Sequence, residues 1–326
     1  MIKFTFFSFL FFALSIAPSF GQNVKSYPIF EVPDTLVKKR ALAVGITAAT
    51  LYTGTLIAVN EFWYKGFPRS SFHTFNDWGE WENMDKYGHA FSAYAETKLF
   101  YHASRWTGLS DKKSAIAAIA FSTLAQTSIE VLDGHSTNWG WSWHDVAFNT
   151  GGTLLFGVQQ YAWGDQRIKM KFSYSPTSYS TTTIMNDNVS SSIFDRAQES
   201  FGTGAAERLI KDYNAQTIWL SANIKSIIAI EDSKFPAWLN IAVGYGAENL
   251  LGAFGNGWVR NGTSFRPNNF ERHRQLFLSF DIDLEKLPVR NKALKGLLKI
   301  VNLIKIPSPT MEFNSIGQQN FHWLYF

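Results

Sequence analysis

Three polar clusters interrupt otherwise apolar, helix-favouring sequence between residues 85 and 152, and they constrain the fold more than any other feature. The clusters have the sequences DKYGH (85–89), EVLDG (130–134) and WSWHD (141–145), and the last continues to Asn149, Gly151 and Gly152. A buried charge without a partner is strongly destabilising, so helices that bury such clusters are expected to bring them together.

The spacing within each cluster places its polar side chains on one helical face. Asp85 and His89 are four residues apart, and so are Asp145 and Asn149. Residues at this spacing lie one above the other on a helix. We therefore expect Asp85, His89, Glu130 and Asp145 to meet in one place, with Asn149 beside Asp145.

Such a cluster offers two kinds of chemistry. Carboxylates and imidazoles bind Zn, Mn or Mg, and a metal-bound water becomes a nucleophile near neutral pH. The residues available as ligands are Asp85, His89, Glu130, Asp133, His135, His144 and Asp145. Without a metal, Glu130 can act as a general base and His89 as an acid, provided that burial shifts their pKa values toward 7.

No catalytic motif decides between these possibilities. The chain contains no H-E-x-x-H, no G-x-S-x-G and no glycine-rich phosphate loop ending in Lys-Ser or Lys-Thr. The candidate catalytic residues are Asp85, His89, Glu130 and Asp145. The candidate ligand-binding residues are Lys86, Asp133 and Asn149, and the identity of any metal or cofactor stays open.

A purely structural interpretation accounts for the same residues. Ser142 with Asp145 matches a capping box at a helix start. Asp133 followed by Gly134 matches a helix stop. Gly151 and Gly152 suit a close approach of two helices. The cluster is therefore a structural polar network, a ligand-binding site, or a catalytic or metal site.

The three clusters also carry a family resemblance. The segments DKYGHAFSAY, IEVLDG and WSWHDVAFNTGG resemble the domain of unknown function 2279, a family labelled predicted periplasmic lipoprotein. More distantly, their order of D-K-x-x-H, then E, then D-x-x-x-N-x-x-G resembles VanZ-like membrane proteins. The resemblance runs over residues 85–163 and implies a cell-envelope location, without implying a reaction.

Composition supports a membrane setting. Hydrophobic residues make up 46% of the chain and charged residues 17%, while the aromatic share of 16% includes 12 Trp. Aromatic rings are favoured at membrane interfaces. Lys and Arg are scattered, which argues against a nucleic-acid partner. The absence of cysteine excludes disulfides, thiolate metal sites and the lipid-bearing cysteine of a lipoprotein.

The start of the chain predicts export. Residues 1–21 have the pattern of a signal peptide: a basic start, an apolar run and a small-x-small cleavage site before Gln22. The alternative is that the apolar run remains as an anchor. Lys38, Lys39 and Arg40 then precede an uncharged stretch at 41–59. Cleavage would place these basic residues outside the cytoplasm, against the positive-inside rule. This conflict disfavours an inner-membrane bundle and favours a packed periplasmic bundle or one at the outer membrane.

These patterns predict a mainly α protein. We expect a VanZ-like helical domain over residues 34–168, formed by a membrane-associated four-helix bundle with helices at 41–59, 85–106, 111–132 and 142–163. We expect a mixed, mostly helical region at 193–326, with helices at 207–230 and 236–251. The segment 275–285 is expected to be either a half-buried strand or a lipid-facing barrel strand. A basic amphipathic segment at 292–305 either lies on an anionic membrane or packs on the domain.

The functional expectation follows from the location and the cluster. We expect an exported, membrane-associated protein on the periplasmic side of the envelope, with the outer membrane favoured. Its cluster serves as a structural or ligand-binding network. The alternative is an envelope enzyme, with or without a metal, that acts on a lipid or lipid-linked substrate. A membrane lipid or lipid-linked molecule is one partner that these patterns allow, and the question of a protein partner stays open.

Overall fold

The chain combines a helical half with a large antiparallel sheet. The structure, a computed structural model, describes residues 27–231 and 234–326, so the expected signal peptide at 1–21 lies outside the described residues. The chain is 45% helical and 22% strand. A six-stranded sheet occupies the C-terminal region. The expectation of a mainly α protein with a mostly helical C-terminal region is therefore wrong.

The first helix, α1 (Lys38–Val59), is apolar and largely uncovered. None of its residues is buried, and Leu42, Ile46 and Ile57 are 65%, 58% and 60% exposed. By length and composition α1 is sufficient to cross a membrane. It confirms the helix predicted at 41–59. That stretch contains neither a charge nor a proline, which favours an apolar helix.

Three further helices pack against one another and confirm the predicted helices to within two residues at each end. They are α2 (Met84–Trp106), α3 (Asp111–Gly134) and α4 (Trp143–Trp163). The short turns between them make neighbouring helices antiparallel. The most apolar stretch of α3 is also long and apolar enough to cross a membrane. One third of that stretch, however, is buried inside the protein.

Small residues allow these helices to approach closely. A Cβ atom on Gly152 of α4 would lie 1.9 Å from the carbonyl oxygen of Ala90 in α2. The Ser122 hydroxyl of α3 lies 3.1 Å from the Thr153 hydroxyl of α4. Both contacts require short side chains, because a larger group at either place would push two helices apart.

The remaining elements begin at Ile168. In chain order they are β1 (Ile168–Tyr174), β2 (Ile184–Asn186), β3 (Val189–Ser191), α5 (Ile193–Phe201), α6 (Ala205–Lys211), β4 (Gln216–Asn223), α7 (Ile224–Ile227), β5 (Leu239–Glu248), β6 (Trp258–Arg260), β7 (Thr263–Phe265), β8 (His273–Ile282), α8 (Lys292–Val301), β9 (Ser308–Asn314) and β10 (Gln319–Tyr325). The main sheet has the order β1-β4-β5-β8-β9-β10, and each neighbouring pair is antiparallel.

The two long helices predicted in this region are wrong. The helix predicted at 207–230 is replaced by α6, β4 and α7, and the helix predicted at 236–251 is replaced by β5. A short apolar run does not distinguish a buried helix from a strand by periodicity alone. β8 (His273–Ile282) confirms a strand in the segment predicted at 275–285, where apolar and polar residues alternate, but it ends three residues before the predicted end.

The sheet curls around one of its faces. The residues just before β9 pair with the outer edge of β1: Phe172 N donates to Leu303 O at 2.8 Å, and Lys305 N donates to Phe172 O at 2.9 Å. Lys305 and Ser308 are three residues apart, a reach of at most about 10 Å. In a flat sheet β1 and β9 would lie about 19 Å apart. The sheet must therefore bend until these two strands approach.

The two faces of the curled sheet differ in polarity. The inner face carries buried polar side chains, such as Asp281 and Lys171, whose carboxylate and ammonium lie 2.7 Å apart. The outer face carries apolar side chains, such as Leu278 and Phe280, which are 45% and 54% exposed. This distribution is the reverse of the usual one for an antiparallel sheet in water.

The outer face of β1 and β4 packs on the helices. Met170 and Ile218 belong to one core with Tyr94 and Phe156. The turn that precedes β4 lies close to the start of α2, where two of the sequence clusters meet. The sheet thus contributes to the candidate site as well as to the core.

Helix α8 lies on the surface. None of its residues is buried, and its apolar residues Leu294 and Leu297 are 44% and 53% exposed. Leu298, Lys299 and Val301 are half-buried, so one side of α8 packs on the domain while much of its apolar surface stays uncovered. Lys292 at its start forms an ion pair with Glu31, which places α8 near the segment before α1.

We expect Gly152→Ala to destabilise the protein and Gly151→Ala to leave it as stable or slightly more stable. A Cβ at 152 collides with the Ala90 carbonyl, whereas one at 151 meets nothing within 4 Å. Overpacking costs about 1–3 kcal/mol or more, and Gly→Ala at an open helical position gains up to about 1 kcal/mol. Thermal unfolding of both variants in detergent, followed by circular dichroism, measures the difference. Equal unfolding midpoints would contradict the close packing of α2 and α4.

Candidate functional site

The site forms where α2 and α4 begin and α3 ends. Ser142 caps α4, because its hydroxyl accepts from Asp145 N at 3.1 Å. The same hydroxyl donates to Asp77 Oδ1 at 2.7 Å, which holds the loop before α2 against the start of α4. Ser142 thus caps the helix, as predicted. The Asp145 carboxylate contacts Lys86.

Lys86 lies at the centre of the site. Its side chain is fully buried, and its ammonium lies 2.8 Å from Asp85 Oδ2 and 2.7 Å from Asp145 Oδ1. It also donates to Asp77 Oδ2. The contact with Asp145 Oδ1 is an ion pair without hydrogen-bond geometry. We call Asp77, Asp85, Lys86, His89, Glu130, Asp145 and Asn149 the lysine-centred cluster.

His89 connects the carboxylates of all three helices. Its Nδ1 lies 3.2 Å from Asn149 Oδ1, and Asn149 Nδ2 donates to Glu130 Oε1 at 3.1 Å. With the amide in this orientation, Asn149 Oδ1 accepts, so His89 Nδ1 carries a proton. His89 Nε2 faces two carboxylates, at 3.9 Å from Asp85 Oδ1 and 3.8 Å from Asp145 Oδ1.

Glu130 lies at the buried side of the cluster. Its side chain is 1% exposed, and its Oε2 has no hydrogen-bond partner among the described residues. Burial, helped by Asp145 and Asp133 and opposed by His89, raises the pKa of Glu130 to about 8. A cleft of about 20 Å³ beside Gln126, Glu130 and Asn149 has room for about one water molecule.

The other pKa shifts follow from burial and close charges. Burial raises the pKa of Asp145 to about 7, with Asp85 and a hydrogen bond to Asp77 adding to the rise. Burial alone would lower the pKa of His89, but Asp85, Asp145 and Glu130 together raise it to about 9. Burial alone would raise the pKa of Asp77, but hydrogen bonds from Asp145, Lys86 and Ser142 lower it to about 2. At neutral pH the cations Lys86 and His89 thus face the anions Asp77 and Asp85, while Asp145 is close to its titration midpoint.

The geometry brings together most of the residues predicted from sequence. The predicted catalytic residues Asp85, Glu130 and Asp145 all have an oxygen within 3.9 Å of a His89 ring nitrogen. Lys86 lies at the centre of the cluster. Asn149 contacts His89 and Glu130, where a position beside Asp145 was expected.

Three other predicted residues lie outside the cluster. Asp133 accepts a hydrogen bond from the Tyr64 hydroxyl at 2.6 Å and makes no contact with Lys86 or His89. His135 is exposed, with Nδ1 3.3 Å from a backbone carbonyl. His144 lies at the edge, with Nδ1 3.3 Å from Asp77 Oδ1.

Two members of the site gave no usable signal in the sequence. Asp77 lies in an aromatic loop without periodicity. Tyr213 comes from the turn before β4, and its hydroxyl donates to Asp85 Oδ1 at 2.9 Å across a separation of 128 residues. Tyr213 therefore joins the sheet to the helices at the site, and only the paired strands bring it there.

Part of the cluster also fits a divalent cation. Asp85, His89 and Asp145 each offer a ligand atom, and these atoms lie within 4.8 Å of one another. Two carboxylates and an imidazole suit Zn or Mn. Asn149, which is hydrogen-bonded to Nδ1, would fix the orientation of the imidazole ring, as the hydrogen-bond partners of metal-binding histidines do. The ammonium of Lys86, however, lies against the same Asp145 oxygen. His89 Nε2 therefore either carries a proton or binds a divalent cation in place of that proton.

We expect Lys86→Met to destabilise the protein far more than Lys65→Met. Removing Lys86 leaves three carboxylates without their buried counter-ion, and breaking a buried pair costs about 3–5 kcal/mol. Lys65 pairs with Glu61 at 2.6 Å, but its side chain is 68% exposed, and such pairs contribute about 0–1 kcal/mol. Chemical denaturation of the purified variants measures both. A small loss for Lys86→Met would contradict the central position of the ammonium.

Comparison with known proteins gives a family for one segment. No curated protein and no solved structure matches the chain. The likeness to VanZ-like proteins stays a prediction. The sequence contains no cysteine, the residue to which the lipid of a lipoprotein is attached. Residues 74–161, from the loop before α2 into α4, match the domain of unknown function 2279 family, described as predicted periplasmic lipoprotein, which supports an envelope location on the periplasmic side.

Proposed function

We propose that this chain is a membrane-associated protein of the cell envelope, with the lysine-centred cluster as a structural polar network. The observation that carries the proposal is the ammonium of Lys86, fully buried among carboxylates from a loop, α2 and α4. In this arrangement the protein itself supplies the cation that the acidic residues require.

Two further observations support a structural role. The cleft beside Glu130 has room for about one water molecule, which is too little for a substrate. Tyr213 uses its hydroxyl to bind Asp85, so the cluster also links the helices to the sheet. A network in this position orients the two halves of the protein relative to each other.

The location is proposed from the surface of the helices and from charge. Helix α1 is apolar and uncovered, and it begins with Lys38, Lys39 and Arg40. After export these residues would lie outside the cytoplasm, which disfavours the inner membrane. The outer membrane accommodates them, and α8 adds a basic amphipathic surface. The bound partner would then be membrane lipid.

We expect the protein to sediment with outer-membrane markers in a density gradient of cell envelopes. The apolar surface of α1 is the physical reason, because its exposure to water is unfavourable. Immunodetection in gradient fractions, with an inner-membrane enzyme and a porin as controls, measures the location. Recovery of the whole protein in the soluble periplasmic fraction would contradict membrane association.

A second candidate function is an envelope enzyme that acts on a lipid or lipid-linked substrate. The observation that favours it is the position of His89 Nε2 between Asp85 and Asp145, with Nδ1 fixed by Asn149. A divalent cation bound there would supply an activated water. The residues of this chain would hold the cation and, through Glu130, accept or donate a proton.

Metal content separates the two candidates. For a structural network, we expect purified wild type to hold no stoichiometric Zn or Mn by plasma mass spectrometry, before or after incubation with either ion. For a metal enzyme, wild type would bind one ion, His89→Gln would lose it, and His135→Gln, the exposed control, would retain it. Stoichiometric metal that depends on His89 would replace the first proposal with the second.

A further inference from the structure

We infer that the part of the sheet's outer face that the helices leave uncovered contacts the hydrocarbon of a lipid bilayer. The inference rests on the membrane association proposed above and adds the surface that makes the contact. That surface is defined by an apolar row across five strands, and we call it the outer row: Leu220, Val243, Leu278, Met311 and Phe321.

The strand register makes the outer row continuous. Leu220 pairs with Val243, Val243 with Leu278, Leu278 with Met311, and Met311 with Phe321. Leu220 and Val243 are each 46% exposed, Leu278 is 45% exposed and Phe321 is 52% exposed. Directly paired side chains on one face are close neighbours. The row therefore forms one apolar stripe from β4 to β10.

The neighbouring row on the inner face has the opposite character. It includes Ser221, Ser279 and Thr310, which are 0%, 5% and 0% exposed. These hydroxyls are satisfied inside: Ser221 donates to Asp281 Oδ2 at 2.6 Å, and Thr310 donates to Ser279 Oγ at 2.8 Å. The sheet thus hides hydrogen-bonded polar groups and presents apolar ones.

This inverted polarity identifies the medium. In water, exposed apolar side chains are unfavourable, and antiparallel sheets place polar residues on the open face. In hydrocarbon the opposite holds, because internal pairing of polar groups is required and apolar side chains face the lipid. The outer row matches the second case.

The wide spread of apolar surface favours lipid over a protein partner. Uncovered apolar side chains also occur on α1 and α8, which are separate elements from the sheet. One docked protein covers one patch, whereas a bilayer reaches several elements at once. Lys292, Lys295 and Lys299 on α8 complement anionic headgroups. Trp323, 79% exposed beside the outer row, is a residue type enriched at membrane interfaces.

Single-cysteine labelling tests the inference directly, because the chain has no native cysteine. Val243→Cys and Leu278→Cys place a small fluorophore on the outer row. The matched control is Val259→Cys, an apolar residue 67% exposed in β6, outside the main sheet. Each labelled protein is reconstituted into phosphatidylcholine–phosphatidylglycerol vesicles, and circular dichroism verifies folding. Quenching is measured with nitroxide on the lipid acyl chains and separately with aqueous iodide.

We expect acyl-chain nitroxide to quench the labels at 243 and 278 several-fold more than the label at 259, and iodide to show the reverse order. Protein that floats with vesicles while iodide quenches all three labels equally would overturn the inference and leave membrane association standing. Outer-row labels shielded from both quenchers would also overturn it, in favour of a second copy or another protein on this face. Protein that does not float with vesicles would overturn membrane association as well.

Discussion

The buried ammonium of Lys86 is the interaction on which the arrangement of the protein depends. A lysine without access to water requires nearby anions, because the desolvation of its charge is otherwise uncompensated. Asp85 comes from its own helix, Asp77 from the preceding loop and Asp145 from α4. Satisfying one cation therefore sets the positions of three segments, and Asp85 extends the network to Tyr213 and the sheet.

Burial and the close approach of charges control the protons of the cluster. With four carboxyl groups close together, burial and mutual repulsion favour protonation of Glu130 and Asp145, whose pKa values are raised to about 8 and about 7. His89, between them, is held in its cationic form up to a pKa of about 9. A network that balances its charge in this way is stable as a structure. It also places a titratable imidazole where a cation can replace its proton, which is why structural and catalytic interpretations share the same residues.

Both halves of the protein bury polar groups and leave part of their apolar surface uncovered. In the helices, the cluster is enclosed while Leu42 and Ile57 of α1 face outward. In the sheet, Lys171 and Asp281 pair inside while Leu278 faces outward. The hydrophobic effect in water would not select this distribution, whereas a lipid environment does. Two unlike architectures in one chain thus both fit the membrane setting proposed above.

The sequence alone determined the three bundle helices and most of the cluster. The spacing of Asp85 with His89 identifies a shared helical face without knowledge of any distant contact. The tertiary structure alone decided which strands pair in the sheet and where Asp77 and Tyr213 lie. In β1 the alternation of lysines with apolar residues is typical of a short strand, but in β5 glycines interrupt the pattern, so that segment does not resemble a strand with a buried apolar face. Helical faces follow from local spacing, but strand pairing depends on partners far along the chain, and no local pattern specifies which segments those are.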